Sequence, residues 1–250
     1  ASAEQLRIAE GAFQRVLRWT PQGDVLFEEP LNDAPAPPGA LALAPNGDLL
    51  IATANGSVQR FRAGAKIMEY RVPSASGEFC RVGGIACVGN ELWITNLNDH
   101  RIEVFDAAGA QHLRSIGRRG ADAGEFGLPL GIVTHNDEIF IADMLNARVQ
   151  VLNAQGVWLR SVGAPGNRLG YFGRPRGLAV GPDGTLFVVD ATLQRITAFT
   201  TDGTPLTTFG GANDTDPLVL PAGIAIWQGR INTGRDVPPD FTPAYYVLVS

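Results

Sequence analysis

Two cysteines, Cys80 and Cys87, are too few among 250 residues to frame a disulfide scaffold, and no CxxC pair is present to seat zinc or attach haem. Six residues separate them in a stretch that reads as extended. At about 3.3 Å per residue, that places their Cα atoms beyond the roughly 7 Å a bridge tolerates, so two small buried apolar residues is the preferred reading. Lysine is nearly absent, with Lys66 alone among twenty basic residues. Acidic residues number twenty-five, giving a formal net charge of -5. A domain that lives on phosphate contacts carries the opposite sign, so nucleic acid is not the expected partner. No run of 18 apolar residues occurs, and none of the chain reads as a membrane span. There is no G-x-S-x-G elbow and no P-loop. The chain opens Ala1-Ser2-Ala3 without Met, which reads as a processed form whose signal peptide has been removed. The expected location is therefore the periplasm or outside the cell.

What the chain does have is turn residues and repetition. Thirty Gly and seventeen Pro suit short strands joined by tight turns, and 45% apolar content is enough for a large core. Four short apolar runs open with Gly: Gly84-Ile85-Ala86, Gly131-Ile132-Val133, Gly177-Leu178-Ala179 and Gly223-Ile224-Ala225, spaced 47, 46 and 46 residues apart. Leu41-Ala42-Leu43 lies 43 residues before the first of them. Each run (strand A) is followed by a turn and a second run (strand B): Leu49 to Thr53, Leu92 to Thr95, Ile139 to Asp143, Leu186 to Asp190. The turns are Asn46-Gly47, Gly89-Asn90, Asn136-Asp137 and Asp183-Gly184, which supply the positive φ of two-residue hairpins. Strand C begins at Arg101, Arg148 and Arg195, and strand D at His112, Val157 and Pro205. Leu6 to Ala9, Arg15 to Trp19 and Val25 to Glu28 fit B, C and D of a blade without its A. The C-terminal region supplies an A (Gly223 to Trp227), an insertion from Gln228 to Tyr245, and a B (Tyr246 to Ser250). Four antiparallel strands per repeat of this length form one blade, so the expected fold is an all-β propeller over residues 1–250, with six blades preferred to five.

The pattern resembles the NHL repeat family. Its best matches are Ile139-Phe140-Ile141-Ala142-Asp143 followed by Asn146-Ala147-Arg148-Val149-Gln150-Val151, and Asn98-Asp99-His100-Arg101-Ile102-Glu103-Val104-Phe105. The second blade departs from it, with a shorter Ala54-Asn55-Gly56 loop and Ser57 where the others have Arg. Arg174-Pro175-Arg176-Gly177-Leu178-Ala179 together with Leu220-Pro221-Ala222-Gly223-Ile224-Ala225 is similar to bacterial exported NHL proteins. That resemblance implies a protein partner such as a c-type cytochrome or another envelope complex. NHL-like propellers also include a zinc-dependent amidating lyase and calcium-dependent lactonases. The zinc site is not expected here, because His100, His112 and His135 fall in a B–C loop, strand D and the end of strand A.

A polar residue closes each B strand and an Arg follows five positions on: Glu10 with Arg15, Asn96 with Arg101, Asp143 with Arg148, Asp190 with Arg195. As a ring of oxygen ligands they would hold a cation at the channel mouth. Recurring in blade after blade, they read instead as caps of their own loops, paired with the neighbouring Arg. Alternating strand direction puts the long D–A loops and the B–C loops on one face, where function is expected. Two adjacent D–A loops concentrate Arg118, Arg119, Arg168, Tyr171, Arg174 and Arg176, with Phe126 and Phe172 as core anchors. Taken alone, the sequence reads as a non-catalytic accessory subunit that holds a protein partner on this face, with no cofactor and no metal. The alternatives are a metal-dependent hydrolase or lyase at the channel mouth, and single-stranded RNA binding on the D–A face.

Overall fold

The computed structural model describes residues 6–10, 15–19, 25–30, 38–53, 55–63, 65–77, 80–107, 111–211, 218, 220–227 and 246–249. It is a β-propeller. Blade 1 holds β1 (Leu6–Glu10), β2 (Arg15–Trp19) and β3 (Val25–Pro30). Blade 2 is β4 (Pro38–Leu43), β5 (Leu49–Thr53), β6 (Ser57–Arg62) and β7 (Ala65–Arg71). Blade 3 is β8 (Val82–Val88), β9 (Glu91–Asn96), β10 (Arg101–Asp106) and β11 (His112–Ile116). Blade 4 is β12 (Pro129–His135), β13 (Glu138–Asp143), β14 (Arg148–Asn153) and β15 (Trp158–Val162). Blade 5 is β16 (Pro175–Val180), β17 (Leu186–Asp190), β18 (Arg195–Phe199) and β19 (Pro205–Gly210). Blade 6 contributes β20 (Ile224–Trp227) and β21 (Tyr246–Val249). Each sheet is an antiparallel meander in sequence order. The insertion from Gln228 to Tyr245 lies outside the described residues.

The middle strands read as continuous apolar runs because both of their faces are covered. In β13, Ile139 and Ile141 pack towards blade 3 with Trp93, Ile102 and Val104. Phe140 and Ala142, on the other face of the same strand, pack towards blade 5 with Leu178, Leu186 and Phe199. One strand thus serves two inter-blade cores, and every residue of β13 after Glu138 is buried. The D strands lie outermost and are mostly exposed, as in β19. Cys80 and Cys87 are both free thiols, and burial pushes the Cys80 thiol up to about 12.

The inner strands converge on the axis, and small residues make that possible. A Cβ on Gly84 would fall 2.7 Å from the Leu130 carbonyl oxygen, and one on Gly177 would fall 2.6 Å from that of Ala222. On Gly131 it would run into the Arg176 carbonyl oxygen. These are backbone atoms of the next blade and cannot swing aside. The repeated Gly found in the sequence is therefore where blade meets blade. Each inner strand of blades 2 to 5 also breaks register near its start, between Pro38 and Ala40, Val82 and Ile85, Pro129 and Ile132, and Pro175 and Leu178. The bulges bend the strand around the axis and take its first residues out of the ladder.

Replacing Gly131 with Ala should cost about 3 kcal/mol through overpacking against this backbone. Gly47→Ala, at φ +85° with nothing within 4 Å of the added carbon, should cost about 1 kcal/mol from backbone strain alone. Urea unfolding of the two variants measures the contrast, and equal losses would show that the inter-blade contact is not tight.

Candidate functional site: the channel mouth

The residue that closes each B strand is built into a loop clamp. Glu10, Asn96, Asp143 and Asp190 face Arg15, Arg101, Arg148 and Arg195 in register across the B–C hairpin. Side chains of Glu10 and Arg15 lie outside the described residues. Asp190 is fully buried. Its Oδ1 accepts the N–H groups of Thr192 and Leu193 at 2.9 Å and of Arg174 at 3.1 Å. Its Oδ2 accepts the Gly173 N–H at 2.6 Å. One carboxylate therefore caps its own B–C loop and ties down the D–A loop entering the same blade. Asp143 does the same work with different partners. It accepts from the Gly127 N–H at 2.6 Å, Asn146 Nδ2 at 2.8 Å, Arg148 Nε at 2.9 Å and Gln150 Nε2 at 3.2 Å. Asn96 accepts the Asn98 and Asp99 N–H groups through Oδ1 and donates through Nδ2 to the Pro73 carbonyl.

The expected pairing with the adjacent Arg holds for Asp143–Arg148 alone among the described pairs. Arg101 turns to Asp99 and Glu103 instead, because a neutral Asn offers it no charge. Arg195 donates to the carbonyls of Asn167, Arg168 and Tyr171, while Asp190 is already saturated by backbone N–H groups. Arg148 likewise reaches the Asp122 and Glu125 carbonyls at 2.9 Å. These arginines lace the long D–A loops to the scaffold. In blade 5, Thr197 stands where blade 4 has Gln150; its Oγ1 and the Arg195 Nε have no partner among the described residues. Blade 3 has Glu103 at that position, fully buried. It accepts from Arg101 Nε and Ser115 Oγ at 2.6 Å, His112 Nε2 at 2.8 Å and Asn96 Nδ2 at 3.1 Å.

The two long D–A loops are copies of one motif, Gly117 to Pro129 and Gly163 to Pro175. Phe126 and Phe172 are buried anchors, each bridged to its own loop at Arg119 and Pro165. The ring of Phe172 sits where a Cβ of Gly163 would be, at φ +74°, so only glycine fits that turn. The predicted basic residues are divided by this frame. Arg118 pairs with Glu125 at 2.7 Å while remaining 81% exposed. Arg114 and Arg160 make bidentate pairs with Glu91 and Glu138, beside the A–B turns of the opposite face. Arg119, Arg168 and Arg174 are exposed and carry no ion pair among the described residues. Tyr171 and Leu169 beside them are 39% and 46% exposed.

A cavity of about 350 Å³ lies on the axis, walled by the starts of the five inner strands. Aligning the blades on the inner-strand Gly puts Gly39, Gly83, Leu130, Arg176 and Ala222 at one level of its wall. Arg176 is half-buried there. In blade 3, Thr95 Oγ1 ties the Gly84 N–H to the Leu130 carbonyl across the blade boundary, at 2.6 and 2.9 Å. His100 belongs to this face. Its Nδ1 accepts the Leu128 N–H at 2.9 Å, two residues before Leu130. Burial and the charge of Arg119 hold His100 below the usual histidine range, against opposing pulls from Asp143 and Asp99. Sequence reasoning placed His100 in the B–C loop but missed its tie to the inner strand, which no local pattern encodes. The cavity itself was also missed, because backbone glycines form it.

A cation held by Glu10, Asn96, Asp143 and Asp190 does not fit. The three whose side chains are described are fully buried and engaged in loop bonds. Among the described residues, no three of His, Cys, Asp and Glu are grouped to hold a metal. No helix among them is long and apolar enough to cross a membrane.

No family model matches the chain. Brain tumor protein of Drosophila melanogaster is 26% identical over 138 residues, which is 54% of this chain and 13% of that protein, so the chain spans only a small part of that relative. A streptogramin B lyase superposes with a TM-score of 0.68 at 18% identity, over 90% of this chain and 70% of the lyase. A catalytically inactive His-to-Ala variant of virginiamycin B lyase from Staphylococcus aureus, solved with quinupristin, gives 0.67 at 20% identity over 88% and 70%. A protein of unknown function from Bacteroides caccae gives 0.65 at 13% identity over 91% and 80%. At these identities the likeness establishes the propeller fold. It also corrects the expectation of a non-catalytic chain: nearly all of this backbone is shared with lyases, and a propeller without a sequence motif for catalysis is no argument against an enzyme.

The Glu103 cluster sets a pH dependence. Burial alone would raise its carboxyl, but bonds from Ser115, Arg101, His112 and Asn96 more than offset this and leave it lowered. A lowered folded value means that its stabilisation is complete above the ordinary Glu value of about 4.3 and is lost as pH falls below it. Glu103→Gln should cost about 3 kcal/mol at pH 7 and flatten the acid limb of the stability profile. Thermal unfolding of both proteins between pH 3 and 7 checks this, and parallel profiles would assign the acid limb elsewhere.

Proposed function

We propose that this chain is a propeller enzyme of the lyase or hydrolase type, of NHL-repeat character, which takes a small substrate at the channel mouth. The observation that carries the proposal is the axial cavity of about 350 Å³ on the loop-rich face, which is within the size range of small-molecule sites. The lyase backbones lend support, one of them solved with quinupristin. The local likeness to brain tumor protein supports the NHL reading of the repeat.

The proton-transfer group on this face is His100. Nδ1 is committed as an acceptor from Leu128, which fixes the neutral tautomer with the proton on Nε2. That the inactive relative is a His-to-Ala variant is in keeping with such a role. Because the His100 value is lowered, the neutral imidazole persists to slightly more acidic pH than in an ordinary histidine.

The test is substrate consumption, followed by chromatography, with quinupristin first and then a metabolite extract. Leu130→Trp, which fills the mouth, should abolish consumption. His100→Gln should lower it about 100-fold with unchanged unfolding. Consumption that survives Leu130→Trp would remove the channel from consideration.

A second reading concerns the exposed loop residues. Arg119, Arg168 and Arg174 without ion partners among the described residues, next to exposed Tyr171 and Leu169, suit an acidic protein surface. A c-type cytochrome or another envelope protein is the partner proposed for it. Arg168→Glu, which alters neither the channel wall nor the surroundings of His100, should cut capture of that partner several-fold while leaving substrate consumption unchanged. Equal capture would dismiss the patch.

A further inference from the structure

We infer that the ligand of the channel mouth carries an oxyanion group, a carboxylate or phosphate, which docks on Arg176. This rests on the channel-mouth reading and names the ligand chemistry of that site.

Four of the five equivalent wall positions are Gly39, Gly83, Leu130 and Ala222, which bring no charge. The fifth is Arg176, half-buried and without a hydrogen bond or ion pair among the described residues. Arg176 belongs to a concave wall that brings no counter-charge among the described residues, and partial burial weakens the hydration of a guanidinium. The nearest repeat carboxylates cannot serve it. Asp190 is saturated by four backbone N–H groups, and Asp143 by its own loop and Arg148. Among the described residues no carboxylate supplies the counter-charge, which leaves it to a bound ligand.

The surroundings favour an anion further. Arg81 and Arg174, each two positions before its blade's wall residue, are exposed and form no ion pair among the described residues. Three positive charges around a concavity raise the local concentration of anions even in a chain of net charge -5. The bulged inner-strand starts, Leu130-Gly131 and Arg176-Gly177, leave the ladder where they line the cavity, so backbone polar groups stand in the same wall as Arg176. The planar fork of Arg matches two oxygens of a carboxylate or phosphate in its own plane through parallel N–H···O bonds, which lysine cannot do.

The test uses the full chain with two probes, inorganic phosphate and succinate, titrated at constant ionic strength. Heat and the amide shifts of Gly131 and Gly177 are followed. Saturable binding is expected for at least one probe, weakened 10-fold or more in Arg176→Gln and unchanged in Arg168→Gln. Binding of phosphate alone assigns a phosphorylated ligand, and of succinate alone a carboxylated one. Absence of saturation with both probes, or equal binding by Arg176→Gln, overturns the inference. Failure here is separable from failure of the channel site: if Leu130→Trp abolishes turnover while Arg176→Gln leaves it intact, the site stands and the oxyanion does not. Matched unfolding curves for the variants guard against a folding defect.

Discussion

A buried carboxylate bonded to four backbone N–H groups cannot leave without stranding all four, and Asp190 is in that position. Each stranded donor would carry a desolvation penalty of about 1–3 kcal/mol. The loops at the working face therefore inherit the rigidity of the sheet. Asp143 and Asn96 repeat the device with other donors, so its logic is conserved across blades while its partners vary. The cavity depends on this arrangement. Its wall consists of inner-strand starts, and the D–A loops leading into those starts in blades 4 and 5 are the ones these carboxylates hold.

The fold was legible because a propeller writes itself twice into its sequence. Spacing exposes the repeat, and the uninterrupted apolar B strands reveal that both faces are covered. Gly84, Gly131 and Gly177 were visible as markers, but their reason was not. Only the neighbouring blade shows that a side chain there would strike backbone. The pairings were harder to read. In blades 1, 3, 4 and 5 an Arg stands in register five positions after the B-strand cap, yet whether the Arg meets the cap depends on what the D–A loop already offers. Backbone N–H groups satisfied Asp190 first, and loop carbonyls took Arg195. Competition between backbone and side-chain partners is a three-dimensional outcome that spacing alone does not encode.

The candidate site was partly legible. The loop face and its arginines were identified, but treated as one cluster. The structure separates them by what they touch. Arg118 is paired at the surface, Arg114 and Arg160 belong to the opposite face, and Arg176 is the one arginine among the described residues that lines the axial cavity. Treating charge as a property of a segment hid this distinction. Arg174 precedes β16 and is exposed, whereas Arg176 sits on the bulge just after Pro175 and lines the cavity, so two arginines flanking one proline have different surroundings.

The expectation of a passive scaffold came from histidines that fall on different strands and loops, from polar caps that recur from blade to blade, and from the lack of a contiguous catalytic motif. A propeller does not supply one, since its axis collects one short segment from each blade. The relevant unit is a ring assembled from residues 44–47 positions apart, and chemistry would enter where a single member departs from the consensus. Four small or apolar wall residues keep the channel open and the blades close. On the proposed reading, one guanidinium breaks the ring's symmetry and orients an anionic ligand. A symmetric scaffold therefore becomes selective through its exceptions, and the position to read in any blade is the one where the repeat is violated without a structural partner to account for it. In this chain Arg176 is that position.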